Sequence, residues 1–190
     1  MALYAYYPTC AEEDLPDYIP EICPADADPE HGRIRSIAFI HKDFIATLVA
    51  TPTAVTWKTG ITTGKIKIVP TVTGAYDGGS PVTAPGYGDQ AEKITGFTNS
   101  LTFKDPTFKV NAGFYNALLN SSAFHVAWRT ETQTQISDNP VTVIPKNPIT
   151  DSLTDEVVFD VEAKWSQPTM SVPFDTPIGV FSPAFLLDTV

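Results

Sequence analysis

Three histidines, two cysteines and one pair of strand-borne carboxylates are the residues of this chain with chemistry in them. Hydrolytic or transfer chemistry needs a nucleophile within reach of a base, most often histidine. His31, His41 and His125 stand far apart, and no serine or cysteine elbow accompanies any of them. His125 falls on the polar side of an alternating stretch beside Arg129, the place of a surface or hydrogen-bonding histidine. No Gly-x-Ser-x-Gly, His-Glu-x-x-His or phosphate loop occurs, and Gly86-Tyr87-Gly88-Asp89 lacks the strand-to-helix setting of a dinucleotide site. Asp160 and Glu162 share one face of a strand pattern. Two such acids could flank a glycosidic bond, but with Lys164 beside them they read more simply as a solvated strand face. Asp28-Pro29-Glu30-His31-Gly32 lacks the ligand spacing of a calcium loop. Cys10 and Cys23 form no Cys-x-x-Cys or zinc pattern; a mutual disulfide and two free thiols both remain open. The residues therefore point to no catalytic centre, no metal and no cofactor.

The charge is more telling than the motifs. The net charge is −10, yet the first 32 residues carry eight acids and no Lys or Arg, leaving 14 acids to face 12 bases over the rest. The expected organisation is an acidic irregular arm over 1–32, a nearly neutral domain over 33–167, and a Pro-rich tail over 168–190 packing on it. With 190 residues, 43% of them hydrophobic and 18% charged, one globular domain is expected. No basic stripe of a nucleic-acid binder is present. No apolar run reaches the length of a membrane span. The N-terminus lacks the basic start of a secretory signal, so the expected setting is assembly inside a cell, with no membrane partner.

The elements that must position these residues read as strands. RIRSIAFIH (33–41), FIATLVAT (44–51) and KIKIVPTVT (65–73) are β in vocabulary. Residues 74–90, GAYDGGSPVTAPGYGDQ, read as one long Gly/Pro loop. KITGFTNSLTFK (93–104) puts Phe97, Asn99, Leu101 and Phe103 on one side. AFHVAWRTETQTQI (123–136) alternates as one long strand, VTVIP (141–145) as a short one. EVVFDVEAKWSQ (156–167) is the clearest, with Val157, Phe159, Val161, Ala163 and Trp165 inward. About seven strands result, with one helix over 111–119, capped by Asn111 and ended by Asn120-Ser121-Ser122. Its stripe is Phe114 and Leu118, widened by Tyr115 and Leu119. The fold class expected is mainly β, an antiparallel sandwich or barrel with one short flanking helix and long loops.

The order of these elements resembles the tail tube proteins of tailed bacteriophages over roughly residues 33–167: a strand, a long loop, GFTNSLTFKDPTF, a short helix from Asn111, FHVAWRTETQTQI and VVFDVEAKW. The acidic arm and GRIRSIAFIHKDF resemble structural proteins of phages of gut Bacteroidota, including the crAss-like group. The resemblance implies a virion protein assembled in the bacterial cytoplasm, partnered with itself in rings, usually hexamers. It implies other tail or connector proteins as neighbours and DNA passing through the lumen without specific binding. It implies that the 74–90 loop reaches a neighbour, with Tyr76, Val82 and Tyr87 as anchors. Phe114 and Leu118 would pack on the chain's own sheet while Tyr115 or Leu119 sits at a subunit boundary. Glu131, Gln133, Asp160 and Glu162 would face the lumen. A tail ring or connector, a capsid decoration protein, or a β-sandwich binding module such as an adhesin domain remain the alternatives.

Overall fold

The computed structural model describes residues 32–86, 88, 91–119, 121–149, 151 and 157–182. The acidic arm, Cys10, Cys23, His31 and Tyr87 lie outside the described residues. What is described is mainly β: two antiparallel sheets packed face to face, with three short helices.

The first sheet holds β1 (Ser36–His41), β2 (Ile66–Val69), β6 (Phe124–Arg129), β7 (Gln133–Ile136) and β10 (Phe174–Asp175), in the order β10-β7-β6-β1-β2. The second runs β3-β5-β9-β8, with β3 (Thr73–Tyr76), β5 (Lys93–Asp105), β9 (Phe159–Gln167) and β8 (Thr142–Lys146). A further strand, β4 (Ser80–Ala84), pairs with β5 beyond β3. Between the sheets lies the main core, with Ile37, Phe39, Val126 and Trp128 from one side and Leu101, Phe103, Val161 and Trp165 from the other. On β5 and β9 the period-2 pattern does what it predicts. Asn99, Leu101 and Phe103 are buried, as are Phe159, Val161, Ala163 and Trp165, while Val157 lies before the strand and is exposed.

A second core was not anticipated. α1 (Lys42–Ala50) and α2 (Ala54–Thr62) cover the outer face of the first sheet. FIATLVAT is therefore helix rather than strand: Phe44, Ile45 and Leu48 recur at helical spacing, and Leu48 is fully buried. His41 and Thr53 supply N-caps through side-chain acceptors for Asp43 N and Thr56 N. Under these helices lie Ala38, Ile40, Ile66 and Ala127, with Trp57 and with Val180 and Phe181 from the C-terminal segment. Burial on both faces explains why β1 is buried at five consecutive positions instead of alternating.

Three other expectations change. The stretch 123–136 is a hairpin of β6 and β7, turned at 130–132, rather than one strand. His125 is buried on β6, its Nδ1 2.9 Å from the Ser137 carbonyl, because the covered face has no polar side. Residues 74–90 are not one loop. β3 and β4 run in the same direction along one edge of β5, as a single edge strand interrupted at Asp77-Gly78-Gly79. Both glycines take positive φ there, and a side chain at Gly79 would collide with Asn99.

The helix expected over 111–119 forms as α3 (Phe108–Leu118), beginning three residues earlier with Thr107 at the N-cap position. Asn111 is not its cap. Its side-chain amide instead donates to Asp105 (3.2 Å) at the end of β5. Leu118 is buried in the main core and Phe114 packs against it, edge-on to Phe39.

Candidate assembly surfaces

Asp105 is fully buried, which obliges its carboxylate to be satisfied within the protein. It accepts from Thr107 N–H (2.8 Å), Asn111 Nδ2 and the Tyr115 hydroxyl (2.7 Å). Burial, then the hydrogen bond to Asp105 and its charge, push the Tyr115 phenol well above its ordinary value. Tyr115 is thus an internal tie and not a boundary residue, and its ring packs on Phe159 at 4.6 Å. The expectation of a subunit contact through Tyr115 is corrected here. An aromatic beside an apolar stripe reads as surplus hydrophobe until its polar partner, ten residues back at the end of β5, is known. Leu119 keeps 44% of its surface exposed and stays available to a neighbour.

Tyr76 is also turned inward. It stacks on Trp165 (5.9 Å, 9° between planes), lies 4.7 Å from Trp128, and donates its hydroxyl to Asn99 Oδ1 at 2.6 Å. Burial raises its phenol above the ordinary value. Its use as an anchor for another subunit is corrected in the same way as that of Tyr115.

Val82 is different. Opposite β4, β5 runs from Lys93 to Thr98, but β9 reaches only to Phe97 on the other side. The first four residues of β5 therefore have β4 as their one strand partner among the described residues. The pair forms a two-stranded ribbon projecting past the sandwich. Val82 and Ile94 are 45% and 60% exposed on it. In the sequence, Phe97, Asn99, Leu101 and Phe103 fall on one side of this strand, and that pattern gave Ile94 no role.

The polar residues fall in two places. Asp160 and Glu162 lie on the outer face of the second sheet, which no helix covers among the described residues. Across the strands, Asp160 faces Lys104 and Lys146, and Glu162 faces Thr102 and Ile144. Glu162 bonds Lys164 Nζ (2.9 Å) and Ser100 Oγ (3.2 Å), and Lys164 foremost holds its carboxyl below the usual value. The face carries three lysines against two carboxylates and is otherwise rich in hydroxyls, so its field is weak. Glu131, in the β6–β7 turn, pairs with Arg35 at 2.6 Å, and Gln133 donates to Asp175 at 2.7 Å. These two belong to the other sheet, so the four residues do not form one wall within a single chain.

Two grooves border these surfaces. One, of about 290 Å³, is lined by Val49, Ile136, Met170, Val172 and Phe174; another, of about 280 Å³, lies between β2 and the start of α3. Among the described residues no three His, Cys, Asp or Glu side chains gather as a metal site, and no helix is long and apolar enough to cross a membrane. No family model, no curated protein and no solved structure matches this chain.

Proposed function

We propose that this chain is a structural protein of a tailed-phage virion that associates with copies of itself into rings, stacked as a tube through which DNA passes. The observation that carries the reading is the projecting β4–β5 ribbon. A two-stranded ribbon is marginal by itself in water, and one that exposes Val82 and Ile94 is stabilised by docking on a second surface. The uncovered face of the second sheet adds support. Its hydroxyls and near-balanced charges suit a wall along which a polyanion slides without forming a ladder of phosphate ion pairs. Hexameric symmetry and contact with other tail or connector proteins belong to the same proposal.

Negative-stain electron microscopy of the purified protein tests it. Rings or tubes are expected, and they are lost when Val82→Glu and Ile94→Glu are combined. A monomer at every concentration would refute the reading. The apolar groove lined by Val49, Met170 and Val172 favours a second reading, a binding or decoration module. A discrete monomer or trimer that binds a target through that groove would establish it instead.

A further inference from the structure

We propose that the face of the β4–β5 ribbon bearing Val82 docks in the apolar groove beside β10 of a second copy, with Lys93 of the ribbon paired to Asp138 of the groove. The proposal rests on the self-associating reading above and names the surface that receives the ribbon.

The ribbon has two unlike faces. Residues opposite one another in a ladder share a face, and successive residues alternate. Ala84 lies opposite Lys93, and Val82 stands two residues before Ala84, so Val82 and Lys93 project from the same face. The register shifts by one residue between Val82 and Thr83, which turns Ile94, opposite Thr83, to the other face. One face of the ribbon therefore carries an exposed valine with a lysine next to it. Within Ser80–Ala84 and Lys93–Thr98, Lys93 is the only charged residue. It is exposed and makes no ion pair among the described residues.

The groove is the converse of that face. Its volume is about 290 Å³, and Val49, Met170 and Val172 on its walls are 59%, 62% and 79% exposed. Asp138 is the one charged residue in its lining. The Asp138 carboxylate accepts from the Thr169 hydroxyl at 3.3 Å and likewise has no cation paired with it among the described residues. An apolar knob with one base thus matches an apolar groove with one acid. Burial of the valine supplies the attraction, and the opposite charges fix which way the ribbon lies.

The positions of the two surfaces make the contact head-to-tail. Val82 alternates with Ser80, whose partner Thr98 belongs with Ser100 and Thr102 on the bare face of the second sheet. Ile136 and Phe174, which floor the groove, belong instead to the core under α1 and α2, outside the first sheet. Knob and groove therefore look out from opposite sides of the sandwich. Each docking event leaves a free ribbon at one end and a free groove at the other, so addition continues until a ring closes.

Sedimentation of the full-length protein tests this by complementation. Val82→Glu spoils the ribbon and keeps the groove; Val172→Lys spoils the groove and keeps the ribbon. Both positions are exposed, so melting temperatures should match the parent. Each variant alone should be monomeric, and an equimolar mixture should form a dimer that grows no further, because its two remaining ends are both spoiled. Lys93→Glu and Asp138→Lys should each weaken assembly several-fold, and the two combined in one chain should restore it. Val172→Lys assembling like the parent would hand the groove to another occupant and overturn the proposal, as would a mixture that stays monomeric or a double reversal that fails to restore. Electron microscopy of the same samples separates the two readings. Rings from both the parent and Val172→Lys sink the docking alone, whereas a complementing mixture from a parent that forms only open chains sinks the ring alone.

Discussion

The two sheets of this sandwich are alike in strand number and opposite in what lies outside them. The first is sealed by α1, α2 and the Val180–Phe181 segment, and its central strand β1 is buried on both faces. The second turns hydroxyls, lysines and carboxylates outward and has its one apolar face on the shared core. A sheet covered on both sides has committed its surface to the chain's own stability. A sheet left bare on one side keeps that surface for something else. The fold therefore divides its labour between the sheets.

The largest expected effect breaks the sealed side. Trp57 is fully buried between α2 and Phe181, 5.3 Å from that ring. Trp57→Ala should cost about 3–5 kcal/mol in urea unfolding, whereas Lys164→Ala on the bare face should stay within about 0.5 kcal/mol. Equal losses at the two positions would dissolve the contrast. Trp57→Phe sharpens it, because the indole N–H has no partner among the described residues and its removal leaves no donor stranded.

Next comes the tie at the sandwich end. Tyr115→Phe removes one of three donors from the buried Asp105 and should cost about 1–3 kcal/mol. The sign with pH follows from the raised phenol. Its contribution is complete below the ordinary tyrosine value of about 10 and is lost as pH climbs above it. The parent should therefore lose more stability than Tyr115→Phe between pH 8 and pH 11. A parallel decline would show that Tyr115 is not the group responsible.

Smaller in stability and larger in assembly is the ribbon. Leu119→Glu, and separately Val82→Glu, should leave unfolding within about 0.5 kcal/mol of the parent while shifting sedimentation toward the monomer. If Leu119→Glu assembles normally, α3 serves its own sandwich alone. The smallest effect belongs to Glu162→Gln, half of an ion pair with Lys164 that is largely open to water. Its loss should barely move the melting temperature at pH 7, and should remove a slight destabilisation of the parent as pH falls below the carboxylate range.

The bare sheet was legible because its two faces differ. Leu101, Phe103, Val161 and Trp165 alternate with Thr102, Lys104, Glu162 and Lys164, and one polar face suffices to reveal a strand. The sealed sheet hides the same information. SIAFI has no polar face, and FIATLVA and AVTWKTGIT are helices built from residues of strand preference. Their evidence was the recurrence of Phe44 with Leu48 and of Trp57 with Ile61, four apart, which composition outweighed. The candidate surfaces were legible only as exposed positions, at Val82 and Leu119. They were not legible at Tyr76 and Tyr115, whose hydroxyls find Asn99 and Asp105 through contacts that only the fold creates.

β5 is one strand of 13 residues that begins in the projecting ribbon at Lys93 and ends at Asp105, where α3 is tied. At about 3.3 Å per residue it is a rod on the order of 40 Å long. Hydrogen-bonded along most of its length, it cannot shorten or turn locally without breaking pairs on both sides. A push on the ribbon tip would therefore reach α3 as a displacement of the whole rod, not as a local bend. The rod also locks phase. One residue inserted between Phe97 and Leu101 would invert every side chain on one side of the insertion. Either Ile94 would swing to the other face of the ribbon or Asp105 would leave its three donors for water. The length of that strand is thus a mechanical constant, coupling a protruding edge to a distant helix through nothing more than the parity of its residues.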